Sequence, residues 1–199
     1  MFYPIMLNIE NKKITIIGGG KVALRKTKKL LQFNKNITVI SPYFHEQFKN
    51  IKNINLIKKK YKEEHIKGSF LVFGATSDHS INKKIAEDCK KNDILCNIVD
   101  SKELSEFIIP SSIKRGDLTI SVSTMGKSPS LCKKIRKDLE KKYTDEYDEY
   151  IKLLGDIREL VLKKCDDKIK RREILNEIIN LNIEDLKKRR EIYENSSRI

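Results

Sequence analysis

A glycine-rich turn between a strand and a helix constrains the fold of this chain more than any other local feature. The string KKITIIGGG at 12–20 joins a short β-branched run to three consecutive glycines. Apolar residues then recur at helical spacing over 21–33, so the glycines lie between a predicted buried strand and a predicted helix. The string GGGKVA fits the pattern G-x-G-x-x-A, which is typical of the first strand–helix unit of a dinucleotide-binding α/β fold.

The three fingerprint positions of this turn each have a physical role. Gly18 permits a tight turn, Gly20 lets the backbone approach a pyrophosphate, and Ala23 lets the helix lie close to the strand. The helix N-terminus offers unpaired N–H groups to the phosphates. A tight turn without a ligand would use the same glycines, but the strand before and the helix after favour dinucleotide binding. The other residues of this candidate cofactor site are Gly19, Lys21 and Val22.

The end of the second predicted strand lacks the acid that usually holds the ribose 2′-hydroxyl. The strand NITVISP at 36–42 runs into Ser41, Pro42 and Tyr43, and no acid follows until Glu46. A serine hydroxyl can donate to a ribose or to a 2′-phosphate, so these residues leave NAD and NADP both open. We take the three residues, with Thr76 at the end of a later strand, as candidate cofactor contacts.

Strand and helix patterns alternate over the first 125 residues. The apolar runs at 69–76 and 93–100 are continuous, as expected for strands covered on both faces, whereas 54–61 alternates like a more exposed strand. Helical spacing returns over 81–89, and one further strand is predicted at 118–124. The alternation predicts an α/β fold with a parallel sheet and right-handed crossovers.

The character of the chain changes from Pro129 onward. Three stretches rich in Lys, Glu, Leu and Ile are predicted to be helices, at 130–142, 146–165 and 168–195. Gly155 is a candidate interruption, and the CDDK string at 165–168 is a candidate break. The boundary between the sheet domain and the helical tail falls between residues 112 and 145.

The net charge of +14 favours anionic partners, because a large excess of one sign attracts the other over long range. Nucleic acid and a polycarboxylate substrate are both candidates, and a general abundance of lysine would give the same number. Arginine is not clustered with aromatic residues, so nucleic acid is not predicted as a partner. Neither an export signal nor an apolar run of about 18 residues is visible, so we expect a cytoplasmic protein without membrane contact.

The cysteine and histidine positions do not predict a metal site. None of the four cysteines forms a C-x-x-C pair, and buried thiols in a reducing compartment are the simplest interpretation. The three histidines are scattered along the chain and are interpreted as surface or capping residues. They are His45, His65 and His79.

Three longer strings, taken together, resemble the precorrin-2 dehydrogenase family, which also supplies the N-terminal half of multifunctional siroheme synthases. They are YPIMLNIENKKITIIGGGKVALRK, VFGATSDHSINKKIAEDC and NIVDSKELSEFIIPSSIKRGDLTISVSTMGKSPSLCKKIR. The resemblance runs in order from about Tyr3 to Arg136, two-thirds of the chain. Met125 and Gly126 stand where family members often have two glycines, which leaves the shape of that loop open.

The resemblance implies a fold and an activity. It implies a Rossmann-type NAD domain over 1–112, a dimerisation segment over 113–145 and a small all-helical C-terminal domain over 146–199. The implied activity is NAD-dependent oxidation of precorrin-2 to sirohydrochlorin by a homodimer. Some family members also insert Fe²⁺ to give siroheme, so the resemblance leaves metal insertion open.

The resemblance also implies roles for single residues. Asp100, which closes the string N-x-V-D, matches the proposed general base, although a helix cap or a turn would also suit an aspartate there. Asn97 lies close to the same sheet edge, and Ser128 matches a family serine near the tetrapyrrole, although it is equally suited to cap a helix. We expect Lys127 and Arg115 to meet substrate carboxylates, although a solvated basic surface would have the same residues.

Three other functions stay open at this point. The first is a different NAD-dependent enzyme on the same scaffold, since a fold does not fix a function. The second is a nucleotide-sensing or nucleic-acid-binding protein that uses its basic tail, which predicts salt-sensitive binding. The third is a non-catalytic NAD-binding partner of another tetrapyrrole enzyme, which would tolerate loss of Asp100.

Overall fold

The computed structural model describes residues 2–99 and 101–199, which form two compact units. The first unit ends at Ile109, and the second covers Pro110–Ile199. Each unit has its own buried apolar core. The division into three parts, at 112/113 and 145/146, stays a prediction, and the two units are described separately below.

The first unit contains a five-stranded parallel sheet, so the α/β fold expected from the sequence is confirmed. In spatial order the strands are β3-β2-β1-β4-β5. This order is that of a doubly wound nucleotide-binding sheet, in which the direction of growth reverses between β1 and β4. The strand bounds are β1 Ile14–Ile17, β2 Ile37–Ile40, β3 Asn55–Ile57, β4 Leu71–Gly74 and β5 Leu95–Ile98.

Two helices pack against this sheet, α1 (Lys21–Leu30) and α2 (His79–Lys91). Ala23 and Leu24 of α1 share a core cluster with residues of β1, β2 and β4, whereas Ile85 and Cys89 of α2 belong to a second cluster with other residues of the same strands. Because successive side chains of a strand point to opposite faces, the two clusters cover the two faces of the sheet. The central strands are therefore covered on both faces, as the continuous apolar run at 69–76 predicted for β4.

The edge of the sheet and its connections are more polar. In β3 both Asn55 and Leu56 are exposed, which agrees with the more exposed strand predicted here, although the burial does not alternate. Short 3-10 helices cover Glu46–Asn50 and Glu63–Ile66. Thr15, fully buried in β1, is satisfied by a hydroxyl–hydroxyl hydrogen bond of 2.7 Å with Ser69.

The second unit begins with an antiparallel hairpin of β6 (Ser111–Arg115) and β7 (Leu118–Val122). One strand was predicted here and two are present. The sequence did not predict β6 because Ile113 is its one buried residue, so the strand has no apolar run and no clear alternation. Gly116 adopts a left-handed conformation in the tight turn, with φ +54°.

Four helices complete the second unit: α3 Pro129–Lys142, α4 Glu146–Lys164, α5 Lys168–Ile178 and α6 Ile183–Asn195. The core shared by α4, α5 and α6 includes Leu153 and Ile157 of α4 with Ile178 and Leu186 of the next two helices. The predicted break at 165–168 is present, and Asp167 caps α5. Helix α4 continues through Gly155, so an interruption there was wrong.

The single helix predicted over 168–195 was also wrong, because the chain turns between α5 and α6. The Asn182 side chain accepts a hydrogen bond from the backbone N–H of Asp185 and caps α6. None of the helices in residues 2–99 and 101–199 is long and apolar enough to cross a lipid bilayer.

Candidate functional site

The candidate site lies at the carboxyl ends of β1 and β4, which are neighbours in the sheet. Ile17 pairs with Gly74 at the last position of the two strands. The glycine turn follows β1 directly, and the segment 75–78 follows β4. Strand order reverses between these two strands, and ligands of open α/β sheets bind in the crevice at such a switch point.

Gly18 adopts a backbone conformation with positive φ that a larger residue would not adopt here. Its φ is +120°, and a Cβ atom at this position would lie 2.3 Å from the carbonyl oxygen of Ala75. The Gly18 N–H donates to the carbonyl oxygen of Ile40 at 2.8 Å, and the Ala75 N–H donates to that of Ile17 at 2.7 Å. Gly18 therefore holds the turn tightly between β2 and the segment that follows β4.

Gly19 packs against the end of β2. A Cβ atom on Gly19 would lie 2.1 Å from the carbonyl oxygen of Tyr43 and 2.9 Å from the Ser41 Oγ. The Gly19 carbonyl oxygen accepts the N–H of His45 at 2.7 Å. The second and third glycines of the string therefore differ, because Gly19 is enclosed by the protein and Gly20 is not.

Gly20 is the N-cap of α1 and faces open space. A Cβ atom on Gly20 would meet nothing within 4 Å. The first turn of α1, which begins at Lys21 and includes Val22, has no acidic residue, so its free N–H groups and positive dipole end are available to an anion. Ala23 is fully buried against the sheet, which agrees with its predicted packing role. These features fit the pyrophosphate of a dinucleotide.

The end of β2 offers a hydroxyl in place of a carboxylate. Ser41 is buried, and its Oγ accepts a long hydrogen bond of 3.4 Å from the Tyr43 N–H. Pro42 is exposed, and the Tyr43 side chain is 80% exposed. The structure thus brings these three residues beside the glycine turn, as the sequence predicted, and their part in cofactor binding stays a prediction.

Asn82 is a buried residue at this site that sequence reasoning missed. Its Oδ1 accepts hydrogen bonds from the Thr76 Oγ1 at 2.8 Å and the Thr76 N–H at 3.3 Å, and its Nδ2 donates to the Thr76 carbonyl oxygen at 3.1 Å. The side chain is 4% exposed. A polar residue one position after Ile81 and three before Ile85, on the buried side of a helix, is the signal that could have indicated it.

Asn97, on β5, is bonded inside the first unit. Its Oδ1 accepts from the Lys26 Nζ at 2.9 Å, and its Nδ2 donates to the Phe107 carbonyl oxygen at 2.9 Å. The residue is 8% exposed. Lys26 was not among the predicted site residues, because a lysine on an amphipathic helix is normally a solvated residue and nothing local indicates a partner 71 positions away. A direct substrate contact by Asn97 stays a prediction.

The segment 101–107 returns along β5. The Glu106 N–H donates to the Cys96 carbonyl oxygen at 2.9 Å, and the Ile98 N–H donates to the Ser105 Oγ at 2.9 Å. The Glu106 carboxylate accepts the Cys96 N–H at 3.0 Å. Asp100, the predicted general base, lies outside the described residues, between the end of β5 and this returning segment in the sequence.

Three predicted substrate contacts belong to the second unit. The Arg115 guanidinium donates to the Tyr143 carbonyl oxygen at 3.1 Å and pairs with Asp145 at 3.0 Å. Lys127 is exposed in the turn before α3. Ser128 caps α3, where its Oγ accepts the Leu131 N–H at 3.3 Å, so its capping role is present. Substrate binding by these residues stays a prediction.

The cysteines and candidate metal ligands show no additional centre in the described part of the chain. All four cysteines are buried free thiols, as expected from the sequence. A hydrogen bond with the Cys96 thiol, together with burial, raises the pKa of Cys89 above its ordinary range, so this thiol stays protonated. Across residues 2–99 and 101–199, no three His, Cys, Asp or Glu side chains are grouped so that they could hold a metal ion.

A doubly wound parallel sheet with a phosphate-binding glycine turn at its switch point defines a Rossmann-type NAD(P)-binding protein. The family model described as "Putative NAD(P)-binding" matches residues 5–111, and that described as "Sirohaem biosynthesis protein central" matches residues 115–142. The chain belongs to the precorrin-2 dehydrogenase family.

Similar proteins match along most of the chain. The precorrin-2 dehydrogenase of Methanosarcina barkeri is 36% identical over 181 residues, which cover 86% of this chain and 80% of that protein. The precorrin-2 dehydrogenase of Priestia megaterium is 32% identical, with 80% of each chain covered. The solved structure of SirC, precorrin-2 dehydrogenase, superposes with a TM-score of 0.80 at 29% identity and covers 98% of this chain and 100% of that one.

The siroheme synthases are longer than this chain. The siroheme synthase of Pseudoalteromonas translucida is 32% identical over 174 residues, which cover 86% of this chain and 37% of that protein. The match therefore spans a little over a third of the length of such a synthase.

Proposed function

We propose that this protein oxidises precorrin-2 to sirohydrochlorin with NAD⁺ as the acceptor, as a step of siroheme biosynthesis. The observation that carries the proposal is the match with precorrin-2 dehydrogenases over about four-fifths of their length, at up to 36% identity. Fold and glycine turn alone would suit many NAD-dependent enzymes. The alignment with precorrin-2 dehydrogenases along most of the chain favours precorrin-2 oxidation over the other reactions of enzymes with the same fold.

The chain binds the cofactor through its glycine turn. Bound NAD⁺ supplies the acceptor for the hydride that leaves the substrate. Gly18 closes the turn, Gly20 leaves room beside the N-terminus of α1, and the N–H groups of the first turn hold the pyrophosphate. Ser41 donates its hydroxyl to the ribose, in the place where many such proteins have a carboxylate. Thr76, held by Asn82, closes the other side of the crevice.

Asp100 is the general base in this proposal. Oxidation removes a hydride and a proton from the substrate, and a carboxylate beside the hydride acceptor takes the proton. The support is that β5 ends at Ile98, two residues before Asp100 in the sequence, and that ligands of such sheets bind at the carboxyl ends of the strands. The chain on both sides is held, because the Val99 N–H donates to the Gly74 carbonyl oxygen at 2.8 Å and the Ser101 N–H to that of Ile98 at 3.3 Å.

The substrate carries acetate and propionate groups around its ring, and basic residues bind it. Lys127, Ser128 and Arg115 are the residues that we assign to these carboxylates. The support is that the sirohaem family model covers residues 115–142, which include all three. The net charge of +14 would attract such a polyanion and raise its rate of encounter.

The active form in this proposal is a homodimer, with 113–145 as its dimerisation segment. In the described structure the hairpin of β6 and β7 is a sheet of two strands, so each strand has an outer edge without a partner strand. Such edges favour pairing with another chain.

The location in the cytoplasm stays a prediction.

Insertion of Fe²⁺ is a second candidate activity, supported by the match with siroheme synthases. Iron would enter as a substrate, and the ring nitrogens would be its lasting ligands. The protein would then need a base for the pyrrole protons, a role that Asp100 also fits. A dehydrogenase without this second activity, or a non-catalytic NAD-binding partner of another tetrapyrrole enzyme, are the alternatives that the assay must separate.

The test is an anaerobic assay of the purified full chain with enzymatically generated precorrin-2 and NAD⁺. The formation of sirohydrochlorin is followed by absorbance. We expect it to form only when NAD⁺ is present. Fe²⁺ or Co²⁺ added to the same cuvette then tests metal insertion. A folded protein that binds NAD⁺ but forms no product would exclude the proposed oxidation and favour a non-catalytic role or another substrate.

A further inference from the structure

Lys26 connects the cofactor helix to the far strand of the sheet. It lies on α1, and its side chain is half-buried although most lysines are solvated. The Nζ donates to the Asn97 Oδ1 at 2.9 Å and lies 4.8 Å from the centroid of the Phe73 ring. An ammonium over an aromatic face with a hydrogen-bonded amide beside it is held in place by both contacts.

Asn97 also contacts the segment after β5. Its Nδ2 donates to the Phe107 carbonyl oxygen at 2.9 Å. The Phe107 ring packs edge-on against Phe73, with 5.6 Å between the ring centroids and an angle of 82°. The Asn97 amide therefore bonds Lys26 through its oxygen and Phe107 through its nitrogen.

Phe107 ends the segment 101–107, whose other contacts tie it to β5. Ser105 and Glu106 hold Ile98 and Cys96 through three hydrogen bonds of 2.9–3.0 Å. The segment is thus fixed along β5 by its own residues and fixed toward α1 by the pair of Lys26 and Asn97. In the sequence it begins directly after Asp100.

We propose that Lys26 is a positioning residue for the oxidation of precorrin-2. By holding Asn97, it fixes the segment 101–107 relative to the helix that binds the cofactor, and so fixes the chain that leads away from the base. This inference rests on the proposed function. Loss of the contact leaves the phosphate-binding turn unchanged and loosens the segment 101–107, and small misplacements of reacting groups are costly.

The test uses Lys26→Met, which removes the charge and the donor but keeps an unbranched side chain over Phe73. Lys28→Met is the matched control, because Lys28 lies on the same helix, is exposed and contacts Gln47 outside the site. Lys26→Arg is the conservative variant, because a guanidinium can still donate to Asn97 and stack on the ring. Asn97→Asp provides a second disruption, because it keeps an acceptor for Lys26 but cannot donate to Phe107.

Amide hydrogen exchange of the segment 101–107 is the first measurement and needs no substrate. We expect faster exchange at Glu106 and its neighbours in Lys26→Met and Asn97→Asp, and wild-type exchange in Lys28→Met and Lys26→Arg. Unchanged exchange in both disrupting variants would overturn the proposal.

The second measurement separates kcat from cofactor binding. In Lys26→Met we expect kcat for precorrin-2 oxidation to fall about tenfold or more, with the Kd for NAD⁺ within about twofold of wild type. A wild-type kcat, or a loss confined to NAD⁺ affinity, would contradict a positioning role.

The two measurements also distinguish this inference from the proposed function. If the wild-type protein does not oxidise precorrin-2, the proposed function fails and the role in that reaction fails with it. The exchange experiment still decides whether Lys26 holds the segment. If the wild type is active and the exchange is unaffected, the proposed function stands and this inference alone is wrong.

Discussion

Gly19 faces the carbonyl oxygen of Tyr43 so closely that a Cβ atom on it would lie 2.1 Å from that oxygen, whereas a Cβ atom on Gly20 would meet nothing within 4 Å. Neighbouring glycines of one turn therefore serve different purposes. Gly19 is required because the end of β2 packs on it. Gly20 leaves a space that the protein itself does not fill.

Replacing Gly20 should weaken cofactor binding without unfolding the protein. Aspartate suits an N-cap, and the extended backbone of Gly20 (φ −81°, ψ −174°) accepts a side chain, so Gly20→Asp should fold as well as wild type. Its carboxylate would occupy and repel the pyrophosphate, so we expect the Kd for NAD⁺ to rise at least tenfold, which is about 1.4 kcal/mol. Calorimetric titration measures the Kd, and urea unfolding measures the stability.

Gly19→Ala is the contrasting variant. Here the added methyl group collides with backbone, so we expect the free energy of unfolding to fall by about 1–3 kcal/mol. An equal loss of stability in Gly20→Asp and Gly19→Ala would contradict the open space beside Gly20, and an unchanged Kd for NAD⁺ in Gly20→Asp would contradict the ligand site.

Asp100→Asn should abolish proton transfer while NAD⁺ still binds. General base catalysis is typically worth about 10²–10⁴-fold, so kcat should fall by at least about 10²-fold with an unchanged Kd for NAD⁺. Glu103→Gln, an exposed neutralisation three residues further along the chain, is the control. Wild-type turnover by Asp100→Asn in the anaerobic assay would disprove the assigned role.

Asn82→Ala should destabilise the first unit and loosen the crevice. It removes the three hydrogen bonds to Thr76 and leaves the N–H and the carbonyl oxygen of this half-buried residue without the Asn82 side chain, which costs about 1–3 kcal/mol in the free energy of unfolding. Lys84→Ala, at an exposed position of the same helix, should have little effect. Chemical denaturation of both variants tests the expectation, and it fails if they are equally stable.

Stability should decrease in mild acid because of His65. Its side chain is 9% exposed and its Nδ1 accepts the Lys62 N–H at 3.1 Å. Burial lowers the pKa of His65, with a further contribution from Lys59 and Lys62 and opposition from Glu64. The unfolded chain, with a histidine pKa of about 6.5, therefore takes up a proton while folded His65 is still neutral. The free energy of unfolding should fall as the pH drops through that value.

His65→Gln keeps a hydrogen-bond acceptor but removes the titration. Its free energy of unfolding should depend less on pH between about 7.5 and about 5 than that of the wild type. Urea unfolding at a series of pH values gives both curves. Parallel curves would mean that His65 does not contribute to the acid sensitivity.

Local patterns predicted the parts of the fold that local physics determines. The β-branched run, the glycines and the helix of the first strand–helix unit are contiguous, so Gly18, Gly20 and Ala23 could be assigned from spacing alone. The hairpin strand β6 was missed, because Ile113 alone of its five residues is buried and pairing with β7 stabilises it. Strand pairing of this kind leaves little pattern in the paired segment itself.

Lys26 and Asn82, which support the site, could not be predicted from the sequence. Lys26 looks like any exposed helical lysine until β5 brings Asn97 to it, and Asn82 looks like an ordinary helix residue until the turn after β4 brings Thr76 to it. Arg115 illustrates the reverse case. Its charge suggested a substrate contact, and the structure adds a bond to the Tyr143 carbonyl oxygen that the sequence could not indicate.

The separate cores of the two units have a consequence for calorimetry. Ile16 and Val72 belong to the cores of one unit, and Ile157 and Leu186 to that of the other. We therefore expect the heat capacity trace to contain two endotherms, so that no single melting temperature describes the molecule. Saturation with NAD⁺ should shift the endotherm of the nucleotide-binding unit upward and leave the other in place, which identifies each peak without dissecting the chain.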